Sequence, residues 1–112
     1  MPNESWGSMT WLVEDASHPG ADLSLARMTV LPGHTSPAHR HPNANEAIHL
    51  VSGELEVRLG AQWVPAHPGD TIYVPSGTTH QTRCLGDTEA VLILAYSAGR
   101  RAYEDMEGTA AD

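Results

Sequence analysis

The sequence has no lysine and only one cysteine in 112 residues. Without lysine, Schiff-base and pyridoxal-phosphate chemistry and any Walker-type phosphate loop are excluded. A lone Cys84 cannot close an internal disulfide, and a CxxC zinc knuckle is impossible. Positive charge is scarce as well: six bases, all arginine, face fourteen acids, for a formal charge of −8. A protein that grips nucleic acid by neutralising phosphates needs the opposite balance, so no nucleic-acid partner is expected. No apolar run approaches the roughly 18 residues of a spanning helix, so no membrane partner is expected either. Met1 to Thr10 carries Glu4 but neither a basic cluster nor an apolar core, so no secretory signal is expected and the expected location is cytoplasmic.

Glycine, proline and histidine are plentiful instead, at ten, eight and seven residues. The glycines and prolines cut the chain into short runs rich in β-branched and aliphatic residues: Met9 to Glu14, Leu23 to Leu31, Glu46 to Val51, Glu54 to Leu59, Gln62 to Val64, Thr71 to Val74, Thr79 to Leu85 and Glu89 to Tyr96. Strand-length runs with turn signals at even spacing predict an all-β sandwich or barrel. Residues 1–112 are expected to form a single domain, with about 1–8 and 100–112 loosely held and Arg101 to Met106 suited to one helical turn. Glu54 to Leu59 alternates strictly, which sends Leu55, Val57 and Leu59 inward and the three charges to water. Val91 to Ala95 is apolar throughout, as a strand covered on both faces should be.

His39-Arg40-His41 is the first chemically informative constellation. Residues two apart face opposite ways on a helix but share a face on a strand, so this pair can bind one ion only if extended. Pro37 and Pro42 flank it and bias it away from helix. Glu46 follows at the head of an apolar strand, where an inward carboxylate is expensive without a charge partner. His80 lies just after the Pro75-x-Gly77 turn at the head of another strand. Three imidazoles and one carboxylate, His39, His41, His80 and Glu46, suit one divalent transition metal ion: iron, manganese, nickel, copper or zinc.

The spacing Gly33, five residues, His39-x-His41, four residues, Glu46, six residues, Gly53 resembles the first cupin motif. Gly69, five residues, Pro75-x-Gly77, two residues, His80 resembles the second, with Cys84 where that motif usually ends in asparagine. The resemblance covers about Gly33 to Cys84. It implies a double-stranded β-helix barrel of jelly-roll type, with His39, His41, Glu46 and His80 as metal ligands facing its mouth.

Around that site, Arg27, Tyr73 and Tyr96 are candidate substrate-binding residues, Arg27 through a bidentate grip on a carboxylate. Arg100 and Arg101 are expected to be solvated, as are His18, His34 and His67. His49 lies an odd number of residues from Glu46, hence on the opposite face, between sheets or at a subunit contact. Cys84 reads as a buried thiol. The implied function is metal-dependent catalysis, as isomerase, lyase or dioxygenase, on a small polar molecule such as a keto acid or sugar acid. The competing reading is a non-catalytic sensor that binds a small ligand. The doubly apolar strand and a tryptophan-bearing N-terminal segment point to a homodimer.

Overall fold

The computed structural model describes residues 3–107. Among them lie eleven strands and no helix: β1 (Asn3–Glu4), β2 (Gly7–Val13), β3 (Ser24–Val30), β4 (His39–Arg40), β5 (Glu46–Ser52), β6 (Leu55–Leu59), β7 (Gln62–Ala66), β8 (Thr71–Val74), β9 (His80–Cys84), β10 (Ala90–Tyr96) and β11 (Glu104–Asp105). The eight longer strands fall on the eight runs that the turn residues mark out. β1, β4 and β11, two residues each, carry no sequence signal of their own.

All pairings are antiparallel and build two sheets, ordered β1-β2-β3-β10-β5-β8 and β11-β4-β9-β6-β7. Every second side chain enters the space between them. Ala26, Met28 and Val30 of β3, Ile48 and Leu50 of β5, and Leu92 and Leu94 of β10 meet Leu55, Val57, Ala66 and Cys84 from the facing sheet. This face-to-face double sheet is the jelly-roll architecture expected from the motifs.

Several local expectations change. β10 is a central strand, flanked by β3 and β5. Its inner residues are buried, but Ile93 and Ala95 are only half-buried on the outside. His49 is exposed on that outer face, bonded to Thr71 Oγ1 at 2.8 Å rather than lodged between sheets. Leu55 and Val57 are buried as alternation requires. Glu56 and Arg58, however, are half-buried because Arg83 Nε donates to Glu56 Oε1 (2.7 Å) and Arg58 Nη1 to Gln81 Oε1 (2.7 Å).

Both ends of the described chain are tied down. β1 pairs with β2. Residues 100–107 form a strap rather than a helical turn: β11 pairs with β4, Met106 N donates to the Ala38 carbonyl (2.9 Å), and Ala38 N donates to Glu107 Oε2 (2.8 Å). Asn43 grips the strap further upstream, donating to Arg100 O (3.0 Å) and accepting from Ala102 N (2.7 Å). The expectation for 1–2 and 108–112 lies outside the described residues.

One motif glycine has a steric reason. Gly53 turns β5 into β6 at φ +91°, where a Cβ would sit 2.6 Å from Glu89 O and 2.7 Å from Ala90 Cα. Gly53→Ala should therefore cost at least about 2 kcal/mol, since strain and backbone clash add. Gly20, at φ +86° but with open space around it, should tolerate alanine better. Urea midpoints of the two variants check this, and equal losses would contradict it.

Candidate metal centre

Four side chains meet between the two sheets at one end of the molecule. His39 on β4 stands directly across from His80 on β9. Glu46, the first residue of β5, lies in register with Tyr96 and Val74 in the other sheet. His41 follows β4, and its carbonyl accepts from Gly77 N (3.0 Å), which ties the two histidine-bearing segments together. One nitrogen or oxygen from each of His39, His41, Glu46 and His80 lies within 4.8 Å of the others, so all four expected ligands converge.

The outer nitrogens fix the inner ones. Nδ1–H of His39 donates to Pro37 O (2.7 Å), that of His41 to Ala102 O (2.8 Å) and that of His80 to Thr78 O (2.9 Å). A neutral imidazole that donates from Nδ1 presents a bare lone pair at Nε2. Three Nε2 atoms therefore point at one place, oriented by backbone carbonyls as metal-binding histidines usually are.

At that place the ring nitrogens crowd one carboxylate oxygen. His80 Nε2 is 2.8 Å and His41 Nε2 3.4 Å from Glu46 Oε1, yet His41 Nε2, His80 Nε2 and Glu46 Oε1 are buried without a hydrogen-bond partner. A lone pair facing a carboxylate oxygen is repulsive unless a proton or a cation lies between. Burial, with help from the neighbouring His80 and against the Pro37 carbonyl, lowers the His39 pKa to about 3, so this ring is neutral at pH 7. Burial alone would raise the Glu46 carboxyl, but its contacts with His41 and His80 prevail and lower it to about 2, so it is ionised. Three imidazole nitrogens around one buried carboxylate fit a divalent ion. Three imidazoles and one carboxylate thus form a site for one divalent transition metal ion.

The site adjoins a cavity of about 400 Å³. Trp6, Met9, Met28, Ile48 and Leu94 supply apolar wall, and Tyr96, Arg101 and Tyr103 supply polar groups. Tyr96 lies there as expected. Its ring meets the His41 ring edge-on at 5.2 Å, and burial, followed by the Glu46 charge and opposed by Arg101, holds its hydroxyl well above the usual pKa.

Two expected binding residues are elsewhere. Arg27 is exposed on the outer face, because Ala26 and Met28 take the inner one. Tyr73 is 59% exposed beside a shallow hollow on the outer face, in register with Ala47. Arg101, expected to be solvated, lines the cavity, whereas its neighbour Arg100 does reach water and bonds Asp15. Tyr103 carries no motif, yet it stacks on His39 at 4.7 Å. His18, His34 and His67 are exposed as expected, and Cys84 is buried, its thiol donating to Thr88 O.

Residues 26–96 match the family model described as the Cupin domain. Oxalate oxidase 1 of Hordeum vulgare is 30% identical over 105 residues, covering 82% of this chain and 51% of the relative. The chain spans about half the length of the curated relatives it matches. Among solved structures, oxalate oxidase in complex with the substrate analogue glycolate aligns at TM-score 0.80 and 27% identity, over 94% of this chain and 56% of that one. A Bacillus subtilis oxalate decarboxylase with Mn(II) centres shares the fold, at TM-score 0.85 and 22% identity over 93% of this chain and 29% of its own. With the paired motifs, the double sheet and the family match in agreement, the chain belongs to the cupin family.

Proposed function

We propose that the chain is a metal-dependent enzyme, acting as isomerase, lyase or dioxygenase on a small polar molecule such as a keto acid or sugar acid held at the ion. The observation that carries this reading is the convergence of three imidazoles and one carboxylate beside a cavity large enough for a substrate. His39, His41, Glu46 and His80 would hold the ion, and four protein ligands do not fill an octahedral coordination sphere. A bound ion supplies Lewis-acid polarisation of a carbonyl or, with a redox metal, dioxygen chemistry.

The chain's own residues do the rest. Carbonyls of Pro37, Ala102 and Thr78 keep the imidazoles aimed. Trp6, Met9 and Leu94 give the chamber apolar walls, and a substrate that fills it excludes water and strengthens the charge interactions inside. Tyr96, which remains protonated at neutral pH and lines the cavity, would be the proton donor to bound substrate.

The test loads metal-free protein with Mn(II) or Fe(II) and follows oxygen uptake and conversion across oxalate, 2-oxo acids and unsaturated uronates. Conversion of at least one acid is expected, together with its loss in Tyr96→Phe by about 10²-fold or more. A metal-replete protein that binds an acid tightly and converts none would contradict the catalytic reading and leave a sensor.

A homodimer in the cytoplasm completes the proposal. The outer face of the six-stranded sheet supports it: Ile93 and Ala95 are half-buried, and Val51 (49%) and Tyr73 (59%) stand exposed beside them. Light scattering at micromolar concentration should give twice the chain mass of 12.0 kDa, and a 12.0 kDa species would contradict it.

A further inference from the structure

We infer that Arg101 is the anion-binding residue of the cavity, and that the site takes an amphipathic organic acid larger than oxalate, its carboxylate on the Arg101 guanidinium and its apolar body against Trp6, Met9, Met28 and Leu94. The inference deepens the proposed function by naming its substrate class, and it rests on the cavity being the reaction chamber.

The first argument is charge. Arg40, Arg83 and Arg100 each meet a carboxylate, Arg58 meets Gln81 and the Gly60 carbonyl, and Arg27 stands in water. Arg101 is only partly exposed and makes no ion pair among the described residues. Its guanidinium lies 5.0 Å from the Trp11 ring, 5.2 Å from Tyr103 and 5.3 Å from Tyr96, Nη2–H donates to Met9 Sδ at 3.7 Å, and Nε is buried without a hydrogen-bond partner. Three ring faces and a thioether stabilise a cation but offer its N–H fork no carboxylate, and Nε–H stays without a partner. A carboxylate is the group that fork matches in shape and charge.

The second argument is distance and volume. Tyr96 touches both Arg101 and His41, and Tyr103 touches both Arg101 and His39, so one aromatic layer separates the guanidinium from the ligand histidines. A molecule that bridges the two needs several bonds between its anionic end and its metal-facing end. The cavity, at about 400 Å³, falls within the range of about 300–1,000 Å³ typical of sites for drug-sized ligands, and much of its wall is apolar side chain. A bare dicarboxylate would leave those walls against water. Glu4, at the cavity but exposed, disfavours a second negative charge there.

The test uses 3-phenylpropionate, which has a carboxylate and an apolar body but no chelating group, and reads tryptophan fluorescence on metal-free and metal-loaded protein. Binding is expected in both states, at least tenfold weaker in Arg101→Gln, unchanged in Arg100→Gln, and at least tenfold weaker for 3-phenylpropionamide. Equal binding by Arg101→Gln, equal binding of the amide, no binding of the acid, or binding that requires metal and ignores Arg101 would each overturn the assignment. Metal content, read separately by elemental analysis, distinguishes the two failures. Arg101-dependent binding in a chain that takes up no metal would sink the metal reading and leave this one standing.

Discussion

His80→Ala is expected to lower the affinity for a divalent ion by more than about a hundredfold, because loss even of a supporting contact to a metal ligand costs about 10- to 100-fold. The imidazole is 2% exposed and its Nε2 lies 2.8 Å from Glu46 Oε1, so its removal deletes a ligand and leaves the carboxylate buried with less compensation. His49→Ala is the control. It removes a histidine from the outer face of β5, where the ring bonds Thr71, and should leave metal binding as it was. Titration of metal-free protein with Mn(II) against a competing chelator measures both. Similar affinities for the two variants would mean that the ion, if bound, sits elsewhere.

Acid should destabilise the metal-free protein steeply. His39 is held at about 3 in the fold against 6.5 in the unfolded chain, first by burial. Its folded value is depressed, so the unfolded chain binds the extra proton and stability is lost as pH falls from 6.5 toward 3. Glu46 adds to this lower down, between 4.5 and about 2, as its carboxylate loses the imidazole contacts that outweigh burial. At 1.36 kcal/mol for each pKa unit, His39 alone should cost about 3 kcal/mol between pH 7 and pH 4. Urea unfolding of metal-free protein across that range should show the loss, and His39→Gln should show a distinctly shallower slope. A flat profile for the unsubstituted chain, or parallel profiles for the two, would contradict a neutral buried His39. Bound metal should steepen the dependence further, because protons compete for the same Nε2 atoms.

The strands and the four ligands were legible because each rests on local order. Turn residues bound the eight long strands, and period two decides that His39 and His41 share a face only when extended. The motif spacing brings Glu46 and His80 to the same end of the double sheet. What was not legible depends on phase or on distant contacts. For Arg27, alternation groups it with Leu25 and Thr29 but does not say which group faces in; the small Ala26 and the flexible Met28 pack inward and leave the arginine outside. Tyr73 follows the same rule on β8, where Ile72 and Val74 take the more buried positions.

The strap from residue 100 to 107 was illegible for a different reason. It is polar and has no apolar period, so it reads as solvated tail. Its order comes from partners some 60 residues away: Asn43 at its start, Ala38 and Arg40 along its middle. The strap nevertheless gives the metal site three of its parts, namely the Ala102 carbonyl that aims His41, the Tyr103 ring on His39, and the only arginine in the cavity lining. The doubly apolar β10 was legible as a strand, and its outer residues Ile93 and Ala95 belong to the face on which the proposed dimer rests.

The most direct test of the central claim is anomalous X-ray diffraction from crystals of the Mn(II)-loaded protein, collected above and below the manganese edge. The account predicts one strong anomalous peak per chain, at bonding distance from Nε2 of His39, His41 and His80 and from a carboxylate oxygen of Glu46. A peak at any other group of residues, or none at that place in protein shown by elemental analysis to carry manganese, would contradict it.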